Sequence, residues 1–559
     1  MNEKSLGVVV DGTFNGGLTV RLHPGTTTER LRIGSFVVVE GQRNRYFSLI
    51  SDMQLKVTDP RLLANPLQNT SPFVAQALAG TSTYATVEVR PMLMLEKVDE
   101  SDPKALLQSQ AGPHPVKTIP MHLAALREAT ELDFATVFGA EGGTNFAMGT
   151  PLTMDIPICL KLDRFVERSN GIFGQSGTGK SFLARLAISG VIKTKAAVNL
   201  IFDMHDEYSF DKQTEDGHWV KGLRDIFGPQ VLVYSLDEQM GRRPGRNVDV
   251  TLKIGLNQIE EADVVLLTEE LNLRQTAEAT IGLLRDAYHE GWLIRLLEMT
   301  PEELEEFCRN YGAHAGAASS LQRNLKRLQR QEYIVKEASF SALDDMVESL
   351  DRGKHVVLLF GRHNDVLDYL LVANLVTRRV RQRYEEKTRR FEETKEVSDK
   401  PRPLMITIEE AHKFLNPNVA RQTTFGAIAR EMRKYNVTLL VIDQRPSGID
   451  PEVMSQLGTR ISGKLTEERD IEAVLTGVSN RSAIRGALES LDTRQEILLM
   501  GHAVPMPISL RTRPYGEAFY KAMCTAVQAG KIGTPSRGLG IGGIGGTGEV
   551  TARDLFGEG

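Results

Sequence analysis

The residues with the clearest chemical signature in this chain lie in one glycine-rich loop. Residues 171–181 read GIFGQSGTGKS, with the spacing G-x-x-x-x-G-K-[ST] that is typical of a phosphate-binding loop. An apolar run precedes the loop, and a helical pattern, FLARLAISGVI, follows it. Glycines let backbone N–H groups close around phosphate oxygens, and the helix N-terminus adds partial positive charge. The pattern therefore predicts a nucleoside triphosphate site.

The positions in this loop have distinct expected roles. Lys180 is long enough to reach the β- and γ-phosphates, and the Ser181 hydroxyl is a suitable ligand for Mg²⁺. The expected cofactors are therefore ATP and Mg²⁺. The residues expected to contact the nucleotide are Gly174, Gln175, Ser176, Gly177, Thr178, Gly179, Lys180, Ser181 and Phe182.

A pair of acidic residues follows a second apolar strand. The predicted strand LMITIE, residues 404–409, ends in Glu409, and Glu410 comes next. Parallel strands end at the same edge of a sheet, so these carboxylates are expected beside the phosphate loop. We expect Glu409 to hold Mg²⁺, together with Ser181, and Glu410 to polarise the attacking water. The alternative is an acidic helix start that faces solvent.

Two further strand ends carry polar residues. The strand TLLVID, 438–443, is followed by Gln444, whose amide is a candidate sensor of the γ-phosphate. The strand NLIFD, 199–203, leads into DMHDEYS, where Asp203, His205 and Glu207 crowd one turn. A hydrogen-bonded structural turn is favoured there over a separate metal site.

Composition bounds the class of protein. The chain has 559 residues, 41% of them hydrophobic and 25% charged, which is typical of a globular protein with several domains. It lacks both an apolar run of about 18 residues and a signal-peptide pattern, so we expect no membrane association. Its three cysteines are far apart, which favours reduced thiols and a cytoplasmic location. A net charge of −5 does not by itself indicate nucleic-acid binding, although a ring can hold positive charge in its channel.

The pattern along the chain predicts an α/β protein with a small amino-terminal β-barrel. Short Val-rich strands punctuated by Gly dominate the start, and from about residue 166 strands alternate with helices, as in a mostly parallel sheet. The predicted segments are a barrel over 1–95, a connector over 96–165, an ATPase domain over 166–520, a helical insertion at about 258–345, an exposed loop over 388–403 and an extension over 521–559 with a flexible Gly-rich tail.

The order of these pieces resembles the HerA branch of the HerA/FtsK ATPases, which are hexameric DNA-translocating motors. The matching motifs are RSNGIFGQSGTGKS, DMHDEYS, IEEAH and REMRKYNVTLLVIDQRP, and the resemblance covers roughly residues 1–520. Two departures stand out. Glu409 occupies a position where the family usually has Asp, and Met204, His205 and Asp206 replace the usual Pro-His-Gly run.

The resemblance implies a RecA-like ATPase domain in a homo-hexamer that moves double-stranded DNA. It also implies that Arg168 and Arg433 act on the ATP of a neighbouring subunit, with Lys434 and Arg430 close enough to confuse the second assignment. The family's usual partner is a nuclease of the NurA type, so we expect a nuclease or a defence effector here, in DNA-end processing or anti-phage defence. The alternatives are a conjugation- or secretion-type ATPase and an ATP-gated assembly scaffold.

Contact with DNA is less clearly marked in the sequence. Two basic stretches are candidates, RNLKRLQR at 323–330 and TRRVRQRYEEKTRR at 377–390. The second mixes in acidic residues and follows an apolar helix, which favours a solvated helix face.

Overall fold

The structure is a computed structural model. The residues that it describes are 5–24, 26–58, 83–97, 112–213, 217–242, 245–273, 276–338, 341–363, 365–418, 420, 423–478 and 481–529. The predicted Gly-rich tail and residues 98–111 of the predicted connector lie outside these residues. Across the described helices, none combines the length and apolarity that a membrane crossing needs.

The amino-terminal strands form a closed barrel. Six strands form a ring in the order β2-β1-β7-β3-β4-β5, which is closed by the pairing of β2 with β5, and β6 adds to β5 outside the ring. Val20, Val39, Val89 and Leu126 fill the interior. The strands are β1 Gly7–Thr13, β2 Gly17–Leu22, β3 Phe36–Glu40, β4 Asn44–Val57, β5 Thr83–Glu96, β6 His114–Pro115 and β7 Ala125–Glu128.

The barrel extends beyond the predicted limit of residue 95. Strand β7 lies in the segment predicted as a connector, yet it closes the ring between β1 and β3. A four-residue strand, ALRE, offers too short a pattern for its period to be read from sequence. The connector prediction was therefore too broad.

One large sheet forms the second part of the molecule. Its order is β15-β14-β18-β11-β19-β20-β10-β21-β22-β23-β8-β9, parallel from β15 to β21 and antiparallel from there to β9. The strands of this sheet are β8 Asn145–Pro151, β9 Ile158–Lys161, β10 Asn170–Phe173, β11 Val198–Asp203, β14 Val231–Ser235, β15 Val250–Thr251, β18 His355–Leu359, β19 Leu404–Glu409, β20 Val437–Asp443, β21 Thr459–Ser462, β22 Glu496–Gly501 and β23 Ile508–Thr512. Two further strand pairs lie outside it, β12 Lys212–Gln213 with β13 Trp219–Val220 and β16 Ile254–Gly255 with β17 Ile334–Val335.

Helices cover both faces of this sheet, as the alternation of strands and helices predicts. The helices are α1 Glu131–Phe138, α2 Leu162–Val166, α3 Lys180–Thr194, α4 Leu223–Phe227, α5 Glu261–Val265, α6 Ala277–Tyr288, α7 Trp292–Glu298, α8 Pro301–Tyr311, α9 Ala315–Leu325, α10 Ala342–Asp351, α11 Val366–Thr394, α12 His412–Leu415, α13 Thr424–Glu431, α14 Pro451–Gln456, α15 Glu468–Val474, α16 Arg481–Glu489 and α17 Glu517–Ala529. Two hydrophobic cores result. One contains residues of α3 and α17 together with Phe36, Val38 and Phe47 of the barrel, and the other contains the helices from α5 to α16.

The helical insertion and the predicted loop differ in extent from their predictions. The insertion runs from α5 to α10 and ends later than the predicted residue 345. Its last helix, α10, is capped by the Ser341 side chain and continues to Asp351. The loop predicted over 388–403 is wrong at its start, since α11 continues to Thr394 and ends only where Lys395 takes a left-handed conformation. An i,i+4 pair between Arg381 and Glu385 supports that helix.

Aromatic packing joins the barrel to the sheet domain. Phe36 and Phe47 of the barrel each lie 5.2 Å, centroid to centroid, from Phe134 of α1. All three rings belong to the core that also contains α3. The barrel therefore rests on the face of the sheet that carries the helix after the phosphate loop.

Candidate nucleotide-binding site

The phosphate loop, residues 174–181, connects a central buried strand to a long helix. Strand β10 lies between β20 and β21, and α3 begins at Lys180. Gly174, Gly177 and Gly179 all have positive φ, and a Cβ at Gly174 would lie 2.5 Å from Oγ1 of Thr178. Glycine alone meets both requirements at Gly174, so the sharp path of the loop backbone depends on this residue.

Lys180 lies against its own loop and among carboxylates. Its Nζ donates a 3.0 Å hydrogen bond to the carbonyl of Gln175. Burial lowers the pKa of Lys180 from its ordinary value, and the negative charges of Glu410, Asp443 and Glu409 oppose that shift. The cation that would meet the phosphates is therefore directed toward the acidic ends of β19 and β20.

Glu409 ends β19 as predicted, and it is buried. Its Oε1 accepts a 2.7 Å hydrogen bond from the hydroxyl of Tyr208, whereas its Oε2 has no partner among the described residues. The pKa of Glu409 is raised to about 8, mainly because the side chain is buried and also because Asp203 is negatively charged. A buried carboxylate oxygen without a partner beside a phosphate loop fits a divalent cation or its bound water.

The turn after β11 has the hydrogen-bonded structure that the sequence favours over a metal site. Both carboxylate oxygens of Asp203 accept backbone N–H groups, from Glu207 at 2.7 Å and from Tyr208 at 2.9 Å. Nε of Arg185 in α3 donates to the carbonyl of Glu207 at 2.6 Å. The turn is therefore fixed to the helix of the phosphate loop, and it aims Tyr208 at Glu409.

Glu410 has a strained backbone and a partly exposed carboxylate. Its φ is +47°, which is uncommon for a residue with a Cβ, and its side chain is 25% exposed. Strain of this kind costs about 1–3 kcal/mol and is concentrated at functional sites. The left-handed residue turns the chain sharply after β19, so that consecutive acids differ: Glu409 is buried and Glu410 reaches solvent.

Asp443 and His412 form a hydrogen-bonded pair next to Glu410. Asp443 accepts the backbone N–H of His412 at 2.7 Å, its Nδ1 at 3.0 Å and the backbone N–H of Arg445 at 2.7 Å. The hydrogen bond between the His412 imidazole and the Asp443 carboxylate raises the pKa of His412 above its ordinary value, although burial of the imidazole opposes this rise. Glu410, His412 and Asp443 have ligand atoms within 4.8 Å of one another. Because donors already occupy Asp443, the cluster positions His412 rather than presenting an open metal site.

The remaining predicted nucleotide contacts lie at the same edge of the sheet. Gln444 directly follows β20 and is half-buried. Ser181 is half-buried in the first turn of α3, and Phe182 is exposed with its ring 6.2 Å from that of Tyr515. The structure thus brings the phosphate loop, both glutamates and Gln444 together, and their individual roles stay predictions.

Arg168 and Arg433 lie at the amino-terminal ends of the parallel strands, whereas the phosphate loop and the two glutamates lie at the carboxyl ends. Arg168 precedes β10, and Arg433 precedes β20, the strand paired with β10. The four residues of β10 span about 13 Å, so Arg168 is separated from its own phosphate loop by a full strand. Nε of Arg168 is buried without a partner among the described residues, whereas Arg433 is exposed. Both arginines therefore lie at the opposite end of their strands from the phosphate loop of the same chain.

Sequence reasoning missed three residues of this site. Tyr208 and Asp443 were not assigned roles, nor was His412, although each lies in a quoted motif. The spacing of acids after apolar strands, the signal that identified Glu409, also applies to Asp443. No local signal pairs Tyr208 with Glu409.

Comparison with known proteins agrees with this architecture. Residues 6–101 match the family described as "HAS barrel domain", and residues 146–380 match "Helicase HerA, central domain". A protein named "DNA double-strand break repair helicase HerA" from Sulfolobus acidocaldarius is 24% identical over 512 residues, covering 89% of this chain and 92% of its own length. The protein of the same name from Sulfurisphaera tokodaii is 27% identical over 422 residues, covering 71% of this chain and 74% of its own length.

Solved structures resemble this chain at lower sequence identity. VirB4 of Thermoanaerobacter pseudethanolicus has a TM-score of 0.43 at 15% identity, covering 68% of this chain and 99% of that one. The plasmid coupling protein TrwB with ADP and Mg²⁺ has a TM-score of 0.44 at 12% identity, covering 68% and 97%. The barrel and central-domain matches, together with relatives aligned along most of the sequence, show that this chain is similar to the HerA helicases in its barrel and in its central domain.

Proposed function

We propose that this protein hydrolyses ATP to move double-stranded DNA through a homo-hexameric ring. The observation that carries the proposal is that the predicted site residues are divided between the two ends of the parallel strands, called here the loop edge and the arginine edge. The phosphate loop, Glu409 and Glu410 lie at one edge, and the predicted arginine fingers lie at the other. Such a site is completed only when the arginine edge of one subunit faces the loop edge of the next.

The residues of the loop edge support hydrolysis in the following way. The loop N–H groups and Lys180 bind the phosphates, and Glu410 takes a proton from the attacking water. Ser181 and Glu409 would hold Mg²⁺, which neutralises phosphate charge when bound. The Oε2 atom of Glu409, buried without a partner among the described residues, is the feature that fits this cation. Gln444, next to the Asp443–His412 pair, is suited to report the γ-phosphate to the rest of the domain.

The arginines supply the link between hydrolysis and ring arrangement. A guanidinium stabilises charge that develops on the γ-phosphate, and in trans it does so only in an assembled ring. The close approach of Gly458, where a Cβ would lie 2.7 Å from the Arg168 Cβ, supports a fixed position for this arginine. Assembly would therefore switch on turnover.

We also propose that a nuclease partner acts with the ring, in DNA-end processing or in anti-phage defence. The support is that relatives are named as double-strand break repair helicases. Purification of the chain from its native host, followed by a nuclease assay on duplex ends, tests this part. Co-purification with membrane proteins and no nuclease would favour a secretion-type ATPase instead.

The main experiment combines assembly and turnover. Native mass spectrometry with a non-hydrolysable ATP analogue and a short duplex is expected to give a six-subunit complex with bound DNA. ATP hydrolysis is expected to rise when duplex DNA is added. A chain that neither binds duplex in a salt-dependent manner nor changes its ATPase rate with DNA would contradict the proposal.

A further inference from the structure

The two basic stretches noted in the sequence differ sharply in how their charges are used. In α11, Arg379 pairs with Asp344 at 2.9 Å, Arg383 with Asp351 at 3.0 Å and Arg390 with Asp399 at 3.3 Å. Most of the charge in 377–390 is thus neutralised within the molecule. This stretch is the solvated and paired helix face that the sequence favours.

The stretch 323–330 has no such partners. Arg323, Lys326, Arg327 and Arg330 are all exposed, and none forms an ion pair with an acidic side chain in the described part of the chain. The segment 312–331 contains no Asp or Glu at all. Arg327 donates instead to the backbone carbonyl of Glu270, at 2.8 Å.

The four cations lie on one face of a continuous helical segment. Helix α9 ends at Leu325, Lys326 and Arg327 remain right-handed helical, and a 3-10 turn covers 328–330. The spacing i, i+3, i+4, i+7 places the four on one stripe. We call Arg323, Lys326, Arg327 and Arg330 the basic stripe.

The opposite face of the segment fixes the stripe in place. Leu321, Leu325 and Leu328 are fully buried in the insertion core. Nε2 of Gln322 also donates to the backbone carbonyls of Leu296 and Met299, both at 2.8 Å. The stripe is therefore presented on a rigid support with its charge directed to solvent.

We propose that the basic stripe binds the phosphate backbone of duplex DNA, an inference that rests on the proposed function and places one of its DNA contacts. Seven residues of helix span about 10 Å, which matches about three phosphates of one strand at about 3.4 Å of helix axis each. Cations on a helix face that contact phosphates fix position and carry no base information. The contact is therefore independent of DNA sequence.

The test compares two variants that lose the same charge. Arg323→Gln/Lys326→Gln/Arg327→Gln/Arg330→Gln removes the stripe, and Arg379→Gln/Arg383→Gln/Arg389→Gln/Arg390→Gln removes four cations from α11. Binding of the full chain to a duplex of about 40 bp is measured by fluorescence anisotropy from about 50 to about 300 mM salt. The stripe variant is expected to bind about tenfold or more weakly, and its salt slope to fall by about 0.9 for each phosphate that the stripe neutralises. The α11 variant is expected to bind like the wild type.

The outcomes separate this inference from the proposed function. ATPase activity without DNA is expected to be unchanged in both variants, which checks folding, and Arg323→Lys/Arg327→Lys/Arg330→Lys should keep duplex binding. Equal duplex binding by the wild type and the stripe variant overturns the stripe alone. A wild type that binds no duplex removes the proposed function itself. Stripe-dependent binding to phosphatidylserine vesicles without duplex binding would replace DNA by a membrane surface and overturn the inference.

Discussion

The hydroxyl of Tyr208 donates a 2.7 Å hydrogen bond to Oε1 of Glu409, and both side chains are buried at the edge of the sheet that holds the phosphate loop. The bond holds one carboxylate oxygen, and Oε2 is left without a partner in the described part of the chain. Tyr208 itself is fixed because Asp203 accepts its backbone N–H. A tyrosine from one motif thus orients the acid of another.

Tyr208→Phe is therefore expected to weaken Mg²⁺ use without weakening nucleotide binding in EDTA. Loss of the bond frees the Glu409 carboxylate to rotate, so the Mg²⁺ concentration that gives half-maximal ATPase should rise severalfold. Fluorescent ATP-analogue binding with and without Mg²⁺ measures the effect apart from turnover. Tyr333→Phe is the matched control, because Tyr333 of the insertion donates an equal 2.7 Å bond to Asp368 of α11. Both changes should cost about 1–2 kcal/mol of stability, so equal Mg²⁺ dependence in the two variants would contradict the positioning role.

Glu410→Gln is expected to separate binding from hydrolysis. The amide keeps the size of the side chain and its left-handed backbone, but it cannot accept the proton of the attacking water. We expect single-turnover hydrolysis to fall about 100-fold or more while ATP affinity stays near that of the wild type. Glu207→Gln, at the same sheet edge and 27% exposed, is the control and should retain turnover. Normal hydrolysis by Glu410→Gln would exclude Glu410 as the base.

Arg168→Ala is expected to spare nucleotide binding and to lower hydrolysis in assembled rings. The reason is distance, since β10 separates Arg168 from the phosphate loop of its own subunit. Lys180→Ala, in contrast, should weaken nucleotide binding directly. Mixed rings of the two variants should regain some activity, because a Lys180→Ala subunit still supplies Arg168 to a neighbouring loop that is intact. Arg164→Ala, an exposed cation on α2, is the control. No recovery on mixing, with normal ring assembly, would argue against action in trans, and the same design applies to Arg433→Ala.

How much of the site the sequence reveals depends on how local each signal is. The phosphate loop is continuous in sequence, and Glu409 and Glu410 come directly at the end of one apolar strand, so short patterns are enough to predict where Lys180 and both glutamates lie in the fold. The Tyr208–Glu409 bond joins residues 201 positions apart, and only the sheet order brings β11 beside β19. Tertiary pairing of this kind leaves no mark in a short pattern.

The fold shows the same limit. Long apolar strands and their alternation with helices predict the parallel sheet, because each strand is buried on both faces. Strand β7 closes the barrel with four residues, and the end of α11 is polar on nearly every side. Both depend on partners distant in sequence: β1 and β3 for the strand, and Asp351 for Arg383 and Lys387 of the helix.

His355 gives a pH dependence of stability that is separate from the nucleotide site. Its Nδ1 accepts the backbone N–H of Asn199 at 3.1 Å, and burial lowers its pKa to about 4. The unfolded chain binds this proton below about pH 6.5 and the folded chain does not, so stability falls as the pH falls from about 6.5 toward about 4. Between about pH 7.5 and about pH 5 the loss should be about 2 kcal/mol larger in the wild type than in His355→Gln, which keeps an acceptor but cannot be protonated. Urea unfolding followed by the fluorescence of buried Trp292 measures the difference. Parallel pH profiles of the two proteins would contradict this prediction, because they would mean that His355 is protonated as readily in the folded chain as in the unfolded chain.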